Sequence, residues 1–288
     1  MGVMKTLRKC QRTMNKKFIT LALSLFAVAG AYAQGDDFGM DFSVGAEKKI
    51  RSGMEVSIEG NARTQDKTRK MDRWSIGAGF DMKIYDTSDF DIKASLKWEY
   101  MWVYKLNQIK NKYDEYTYTD PVLGSYTEQE YKGYNEELAY WRNRHRTSVG
   151  LTATYEPNKR WKFQLKETVQ YSHYCNDSTT QNKYRLDGKG NHYFKESEMD
   201  YKGAKDRTIL RSRITAQYDV RRCLLDPYVS VEYGCGLNYT ANKWKFMVGT
   251  DIKINKQNVI DAFYRYQTED DDEDPNGHII GVGYKYKF

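Results

Sequence analysis

From Phe38 onward the chain alternates. Apolar or aromatic side chains take every second position over stretches of about ten to sixteen residues, with small or polar ones between them. Successive side chains of a strand point to opposite faces, so a period of two predicts strands with one oily and one wet surface. The first stretch sets Phe38, Met40, Phe42, Val44 and Ala46 against Gly39, Asp41, Ser43, Gly45 and Glu47. The second sets Met54, Val56 and Ile58 against Glu55, Ser57 and Glu59, and the third sets Trp74, Ile76, Ala78, Phe80, Met82 and Ile84 against Ser75, Gly77, Gly79, Asp81 and Lys83. The fourth runs from Phe90 to Tyr104, with Asp91, Lys93, Lys97 and Glu99 on its polar face. The pattern continues through 141–156, 160–175, 206–221, 227–239, 244–254, 259–268 and 278–288, giving eleven candidate strands.

A water-soluble sandwich also alternates, its apolar faces meeting in a core. Three features point instead to a barrel in a lipid bilayer. The stretches exceed the usual five or six residues of a strand and suit a tilted crossing of a membrane. Aromatic residues recur near the ends of the apolar faces, notably Trp74, Trp98, Trp102, Trp161 and Trp244, as the interfacial girdles of such barrels require. The connections also alternate between short turns ("KKIRSG", "YDTSDFD", "EPNKR", "RRCLLDP", "NKQN") and polar, mostly longer segments at 64–72, 106–140, 176–205, 240–243 and 269–277. The expected fold is all-β: a transmembrane antiparallel β-barrel of 10–12 strands in an up-and-down meander. Single-chain bacterial barrels normally have an even number of strands, which favours twelve over the eleven counted.

Residues 1–33 read differently. "MNKK", the apolar "FITLALSLFAVAG" and the small-residue "AYA" have the three parts of a secretory signal peptide cut after Ala33, leaving 34–288 as the barrel domain. The formal net charge of +7 includes six basic leader residues (Lys5, Arg8, Lys9, Arg12, Lys16, Lys17) and no leader acid, so the exported chain carries only +1. The balance offers nucleic acid no basic footprint. Of four cysteines, Cys10 leaves with the leader; Cys175, Cys223 and Cys235 have neither metal-ligand nor disulfide-framework spacing and are read as packing residues.

The opening "DFGMDFSVGAEKKI" followed by "RSGMEVSIEGNARTQ", the "DAFYRYQ" strand and the closing "HIIGVGYKYKF" together resemble the outer-membrane barrel family named domain of unknown function 2490. The resemblance covers nearly all of the exported chain. It implies a barrel in the outer membrane and names no reaction. The final strand, with Tyr284, Tyr286 and Phe288 on one face, also resembles the signal by which the β-barrel assembly machinery takes up its clients.

With the polar faces inward, Asp41, Glu47, Glu55, Glu59, Asp81, Asp91 and Glu99 supply an acidic wall from the first four strands. Arg142, Arg144, Arg146, Lys162, Lys166, Arg211 and Arg213 supply a basic wall from the next three. Unpaired buried charge is costly, so such a lumen either pairs these groups and fills itself or admits water and small anions. Glu167 falls on the oily face by parity, and a local bulge turning it inward is the expected remedy.

The function expected is that of a small porin-like or structural barrel with a charged lumen and no catalysis, in contact with outer-membrane lipid. It needs no cofactor and no metal, and its candidate ligands are a small anionic solute or a surface glycan. A second reading is a receptor or adhesin working through the tyrosine-rich segment 106–140, where Tyr side chains offer flat faces for stacking. A third is a membrane-embedded hydrolase, since His145 and Thr147, and His173 and Cys175, share a face two residues apart. The acidic run "EDDDEDPNGHI" matches only the first half of a calcium loop: its twelfth position is Gly283, where a bidentate Glu belongs.

Overall fold

The computed structural model describes residues 37–120, 124–221, 223–240, 242–269 and 276–288. The leader assigned to 1–33 and the acidic run 270–275 lie outside the described residues. Fifteen strands follow one another among the described residues: β1 (Asp37–Arg51), β2 (Met54–Gln65), β3 (Lys70–Asp86), β4 (Phe90–Lys105), β5 (Gln108–Asp120), β6 (Gly124–Glu137), β7 (Tyr140–Tyr155) and β8 (Trp161–Tyr174). Then come β9 (Asp177–Leu186), β10 (His192–Lys202), β11 (Lys205–Tyr218), β12 (Leu225–Gly236), β13 (Asn242–Lys253), β14 (Asn258–Glu269) and β15 (Gly277–Lys287).

Eleven of them close into a barrel in the order β1-β2-β3-β4-β7-β8-β11-β12-β13-β14-β15, each the neighbour of the next. The expected meander is present with eleven strands, not the favoured even twelve, and the count is resolved at the seam. In an up-and-down chain an odd number leaves the first and last strands running the same way. β1 and β15 accordingly pair in parallel, from Asp37 beside Gly277 to Glu47 beside Lys287, while the other ten pairings are antiparallel.

The barrel inverts the usual partition of oil and water. Val44, Ile58, Ile76, Leu96, Val149, Leu165, Ile214, Val229 and Phe246 are among many large apolar side chains exposed on its outside, Val44 and Ile214 by 63% each. Asp41, Arg73, Arg144, Gln170, Glu232 and Arg265 are buried within. Contiguous exposed apolar surface on this scale is not a feature of monomers that live in water, and hydrocarbon is the solvent that suits it. The chain forms a transmembrane β-barrel.

The two polar segments expected as loops, 106–140 and 176–205, are instead two hairpins, β5–β6 and β9–β10, joined through β6 and β9 into a four-stranded sheet. Neighbourhood in the barrel explains the joining. β6 leads into β7 and β9 follows β8; because β7 pairs with β8, the pairing continues past the rim, where the Leu138 amide donates to the Thr180 carbonyl. The sheet thus extends the wall above the arc of β4, β7, β8 and β11. Among the described residues, the opposite rim carries short turns. Both faces of this sheet carry many polar groups, so the segments lack the clear oily period that marked the barrel strands.

Candidate functional site

The barrel encloses a cavity of about 560 Å³. It is lined from every barrel strand, because in each one the inward face is the polar half of the alternation. Arg144, Arg146, Lys166, Arg211 and Arg213 of the expected basic set are on its wall, as are Asp41, Glu47, Glu59, Asp81 and Glu99 of the acidic set. Four others sit beyond it, toward the strand ends. Arg142 donates to the carbonyls of Cys175 (3.2 Å) and Gly203 (2.6 Å) at the sheet-bearing rim. Lys162 pairs with Glu156 at 3.4 Å near the short turns. Glu55 and Asp91 lie at that same end, the first opposite Asp81 and the second opposite Asp86.

The strand order does not keep the signs on separate walls. Asp41 accepts hydrogen bonds from Arg63 (2.9 Å) and Arg265 (3.0 Å). Lys97 lies between Glu59 (3.1 Å) and Glu99 (3.2 Å), and Glu99 also meets Arg146 at 3.5 Å. Glu232 accepts from Arg211 (2.6 Å), from Lys245 (3.0 Å) and from Arg213. The excess of cations is concentrated at one end of the axis instead. Within five residues of the sheet-bearing strand ends stand Arg63, Arg73, Arg144, Arg207, Lys243, Lys245 and Arg265, against Asp41 and Glu232 of the cavity's acids. Toward the short turns, carboxylates face one another across strands, Glu55 beside Asp81 and Asp226 beside Asp251 beside Asp261. Around the whole cavity thirteen Lys and Arg side chains meet seven Asp and Glu. Among the described residues Cys175, Cys223 and Cys235 form no disulfide.

Glu232, Lys245, Asp261, Arg265 and Arg207 were missed as lumen residues, although strand parity carried to 227–239, 244–254, 259–268 and the start of 206–221 assigns them inward; Lys243 fell in the expected connection 240–243 and is instead in β13. Parity turns Tyr174 and Met101 inward too, but neither carries a charge that would have marked it as a lumen residue. They are 3% and 2% exposed, and the Tyr174 hydroxyl accepts a 2.7 Å hydrogen bond from Arg144.

On the outer surface, Glu167 stays on the oily face: β8 pairs with β7 and β11 in unbroken register, so there is no bulge. Its carboxylate is met by the Ser212 hydroxyl at 2.6 Å, a partner the next strand supplies at the same level. The expected girdle residues divide. Trp74 and Trp102 face each other across β3 and β4 near the sheet-bearing rim, Trp244 lies on that side in β13, and Trp161 opens β8 at the other rim. Trp98 sits mid-strand in β4, its ring 6.0 Å from that of His145. Tyr284, Tyr286 and Phe288 share the outer face of β15, the last two in edge contact at 4.7 Å.

His145 and His173 lie opposite each other on β7 and β8. His173 Nδ1 is 2.7 Å from the Asp206 carboxylate, which also accepts from Tyr171 at 2.7 Å. Among the described residues no hydroxyl or thiol is hydrogen-bonded to the second imidazole nitrogen, so the pair has an orienting acid and no nucleophile in place.

These features define a transmembrane barrel with a charged lumen and a sheet raised on one rim. The chain belongs to the protein family of unknown function DUF2490, which matches residues 38–278. No curated protein matches it. Among solved structures it is similar to the β domain of the Bordetella autotransporter BrkA, at 13% identity over 83% of this chain and 86% of that one, with a TM-score of 0.40. It is also similar to the CymD monoaromatic hydrocarbon channel, at 11% identity over 80% of this chain and 82% of that one, with a TM-score of 0.29.

Proposed function

We propose that this protein is exported by its leader, inserted into the outer membrane by the barrel assembly machinery through the Tyr284, Tyr286 and Phe288 face, and serves there as a narrow porin-like barrel for small anions. The observation that carries this is the composition of the cavity wall, thirteen basic side chains against seven acidic, with the basic excess gathered at the sheet-bearing end. Rings of basic side chains in a confined, low-dielectric passage favour anions over cations. Eleven strands fall between barrels of eight, which side chains fill, and those of sixteen, which hold an aqueous channel. A restricted passage follows. The sheet then faces the exterior and the short turns face the periplasm, as is usual for bacterial barrels.

Planar-bilayer recording tests this. The purified protein is expected to give small, anion-selective unitary currents, and Arg211→Ala is expected to shift the reversal potential toward cations. Silence in the bilayer, or cation selectivity in the unaltered protein, would refute the reading.

A second reading rests on the raised sheet, one face of which carries a chain of rings: Tyr113 to Tyr131 (5.5 Å), Tyr131 to His192 (5.8 Å), His192 to Tyr134 (5.1 Å), Tyr134 to Tyr184 (4.8 Å) and Tyr184 to Phe194 (5.8 Å). Flat, half-exposed rings in a row suit stacking on a surface glycan or a protein partner. Loss of cell-surface binding on replacing 108–137 by a short turn, with unitary currents retained, would favour it.

A further inference from the structure

Two opposite charges on the lumen wall stand within each other's field and do not touch. Asp81 of β3 and Lys166 of β8 both line the cavity, and neither side chain has an ion pair or a hydrogen bond among the described residues. Lys166 feels Asp81 alongside Arg213, Arg211 and Lys97. Register fixes what lies between the two. Asp81 pairs with Ser95 of β4, Ser95 with Gly150 of β7, and Gly150 with Thr168 of β8, two residues along the same face from Lys166. The two backbones are therefore three strand spacings apart, roughly 14 Å along the wall. The wall between them is low. Gly150 has no side chain, and a Cβ there would come within 2.9 Å of the Ser95 hydroxyl and 3.0 Å of that of Thr168. The Ser95 hydroxyl donates to the Gly150 carbonyl at 3.3 Å, which lays it along the wall instead of across the bore.

The charges around this pair are engaged elsewhere. Arg211 and Arg213 hold Glu232, and Lys97 lies between Glu59 and Glu99. Across β2, Asp81 faces Glu55, another acid. A charge in a confined interior is penalised until a partner or water reaches it. A monoanion would answer Lys166 and be repelled by Asp81, and a monocation would do the reverse. A solute that carries both charges on a short frame answers the two together, with a charge-assisted hydrogen bond at each end. The Ser95 and Thr168 hydroxyls add neutral donors and acceptors between those ends.

We propose that Asp81 and Lys166, with Ser95 and Thr168 between them, form a binding site for a small zwitterion of the α-amino-acid class in the turn-side half of the lumen. The Lys166 ammonium donates to the carboxylate of the solute, and the Asp81 carboxylate accepts from its ammonium. The two wall charges are too far apart to pair directly, and one amino acid, its own charges separated by a single carbon, bridges them. The missing side chain at Gly150 leaves the space in which the body of the solute lies. The site goes beyond the anion-passing reading and does not rest on it, because an α-amino acid of this kind has no net charge for the basic end of the lumen to select.

The test is calorimetric titration of the intact, folded barrel in detergent micelles with L-alanine and with propionate and ethylammonium, each of which keeps one of its two charges. L-Alanine is expected to bind with one-to-one stoichiometry, and propionate and ethylammonium at least ten-fold more weakly. Asp81→Asn and Lys166→Gln are each expected to weaken L-alanine at least ten-fold, and Asp81→Asn to abolish its advantage over propionate. Heat-dependent gel mobility checks that each variant keeps its barrel; should either fail, the ranking of the three solutes on the unaltered protein still decides. The absence of saturable L-alanine binding, propionate or ethylammonium binding as tightly as L-alanine, or unchanged affinity in either folded variant would overturn the site. Bilayer recording of the same preparation separates the two readings. L-Alanine binding without current leaves the site standing and removes the pore, whereas anion current without L-alanine binding does the reverse.

Discussion

Glu232 shows how a single side chain governs the lumen. It is 4% exposed, and Arg211 and Arg213 of β11 and Lys245 of β13 converge on it from the two strands flanking its own. Each cation left alone in the interior would be heavily penalised; one carboxylate answers three. Removing one member of such a group strands the others, at a cost of about 3 kcal/mol or more. Glu232→Gln, nearly the same shape without the charge, is therefore expected to lower the stability of the barrel by about that amount, read by urea-induced unfolding in lipid vesicles. If the lumen passes anions, the same variant removes a negative charge from its wall and raises anion selectivity.

At the scale of elements, the raised sheet behaves differently from the barrel beneath it. One face is the chain of aromatic rings; the other packs polar groups, with Asn135 donating to Gln181 at 2.8 Å and Glu137 accepting from Lys110 (2.9 Å) and Lys202 (2.7 Å). Burial alone would raise the Glu137 carboxyl, but the hydrogen bonds from Lys202 and Lys110 outweigh it and hold the group below the usual glutamate range. A carboxyl depressed in the folded state stabilises that state fully above its unfolded value, about pH 4.3, and loses the contribution as pH falls through the lower folded value. Protection factors of the β6, β9 and β10 amides, which allow for the slower intrinsic exchange in acid, are accordingly expected to fall between pH 5 and about pH 3, and Glu137→Gln to remove most of the change. The joint between the hairpins depends on Gly133. Its φ of 129° is one that other residues rarely adopt, and a Cβ there would strike the Tyr184 carbonyl across the strand. Gly133→Ala is expected to break the pairing of β6 with β9 while leaving the barrel closed. Limited proteolysis checks this by cleavage within 108–137 and a protected remainder.

The whole molecule is closed by its least regular joint. The parallel seam between β1 and β15 has slanted hydrogen bonds, slightly less stable per residue than antiparallel ones. Extra ties hold its ends: the Asp37 amide donates to Asn276 at 3.0 Å, the Phe288 amide to Glu47 at 2.8 Å, and Glu47 pairs with Lys285 at 2.6 Å and Lys287 at 3.6 Å. Glu47→Gln removes both ion pairs at one end, so amide exchange along β1 and β15 is expected to rise before that of β13 and β14. Equal acceleration in all four strands would show that the seam is not where the barrel opens.

Legibility followed solvent. Wherever one face of a strand meets hydrocarbon, the period of two is strong, and all eleven barrel strands could be read from it; in 106–140 and 176–205 polar groups occupy both faces, and four strands passed for loops. The inward direction of Arg144 or Glu99 was legible for the same reason. What each of them touches was not, because Glu232 meets Arg211 through pairing of β11 with β12, and Arg142 reaches Tyr174 through pairing of β7 with β8. The preference for an even strand count failed at a joint that pairs the two ends of the chain.

Alternation, together with strand length and the placing of aromatics and turns, determined that this chain forms a barrel; alternation by itself then fixed which half of each strand meets lipid and which charges turn inward, since the direction of a side chain from an extended backbone depends only on its place in the strand. The tertiary structure decided the parallel closure, the raised sheet, the partners of each charge and the collection of basic groups at one end. Those depend on register and on contacts between residues far apart in sequence, which a pattern of period two does not encode.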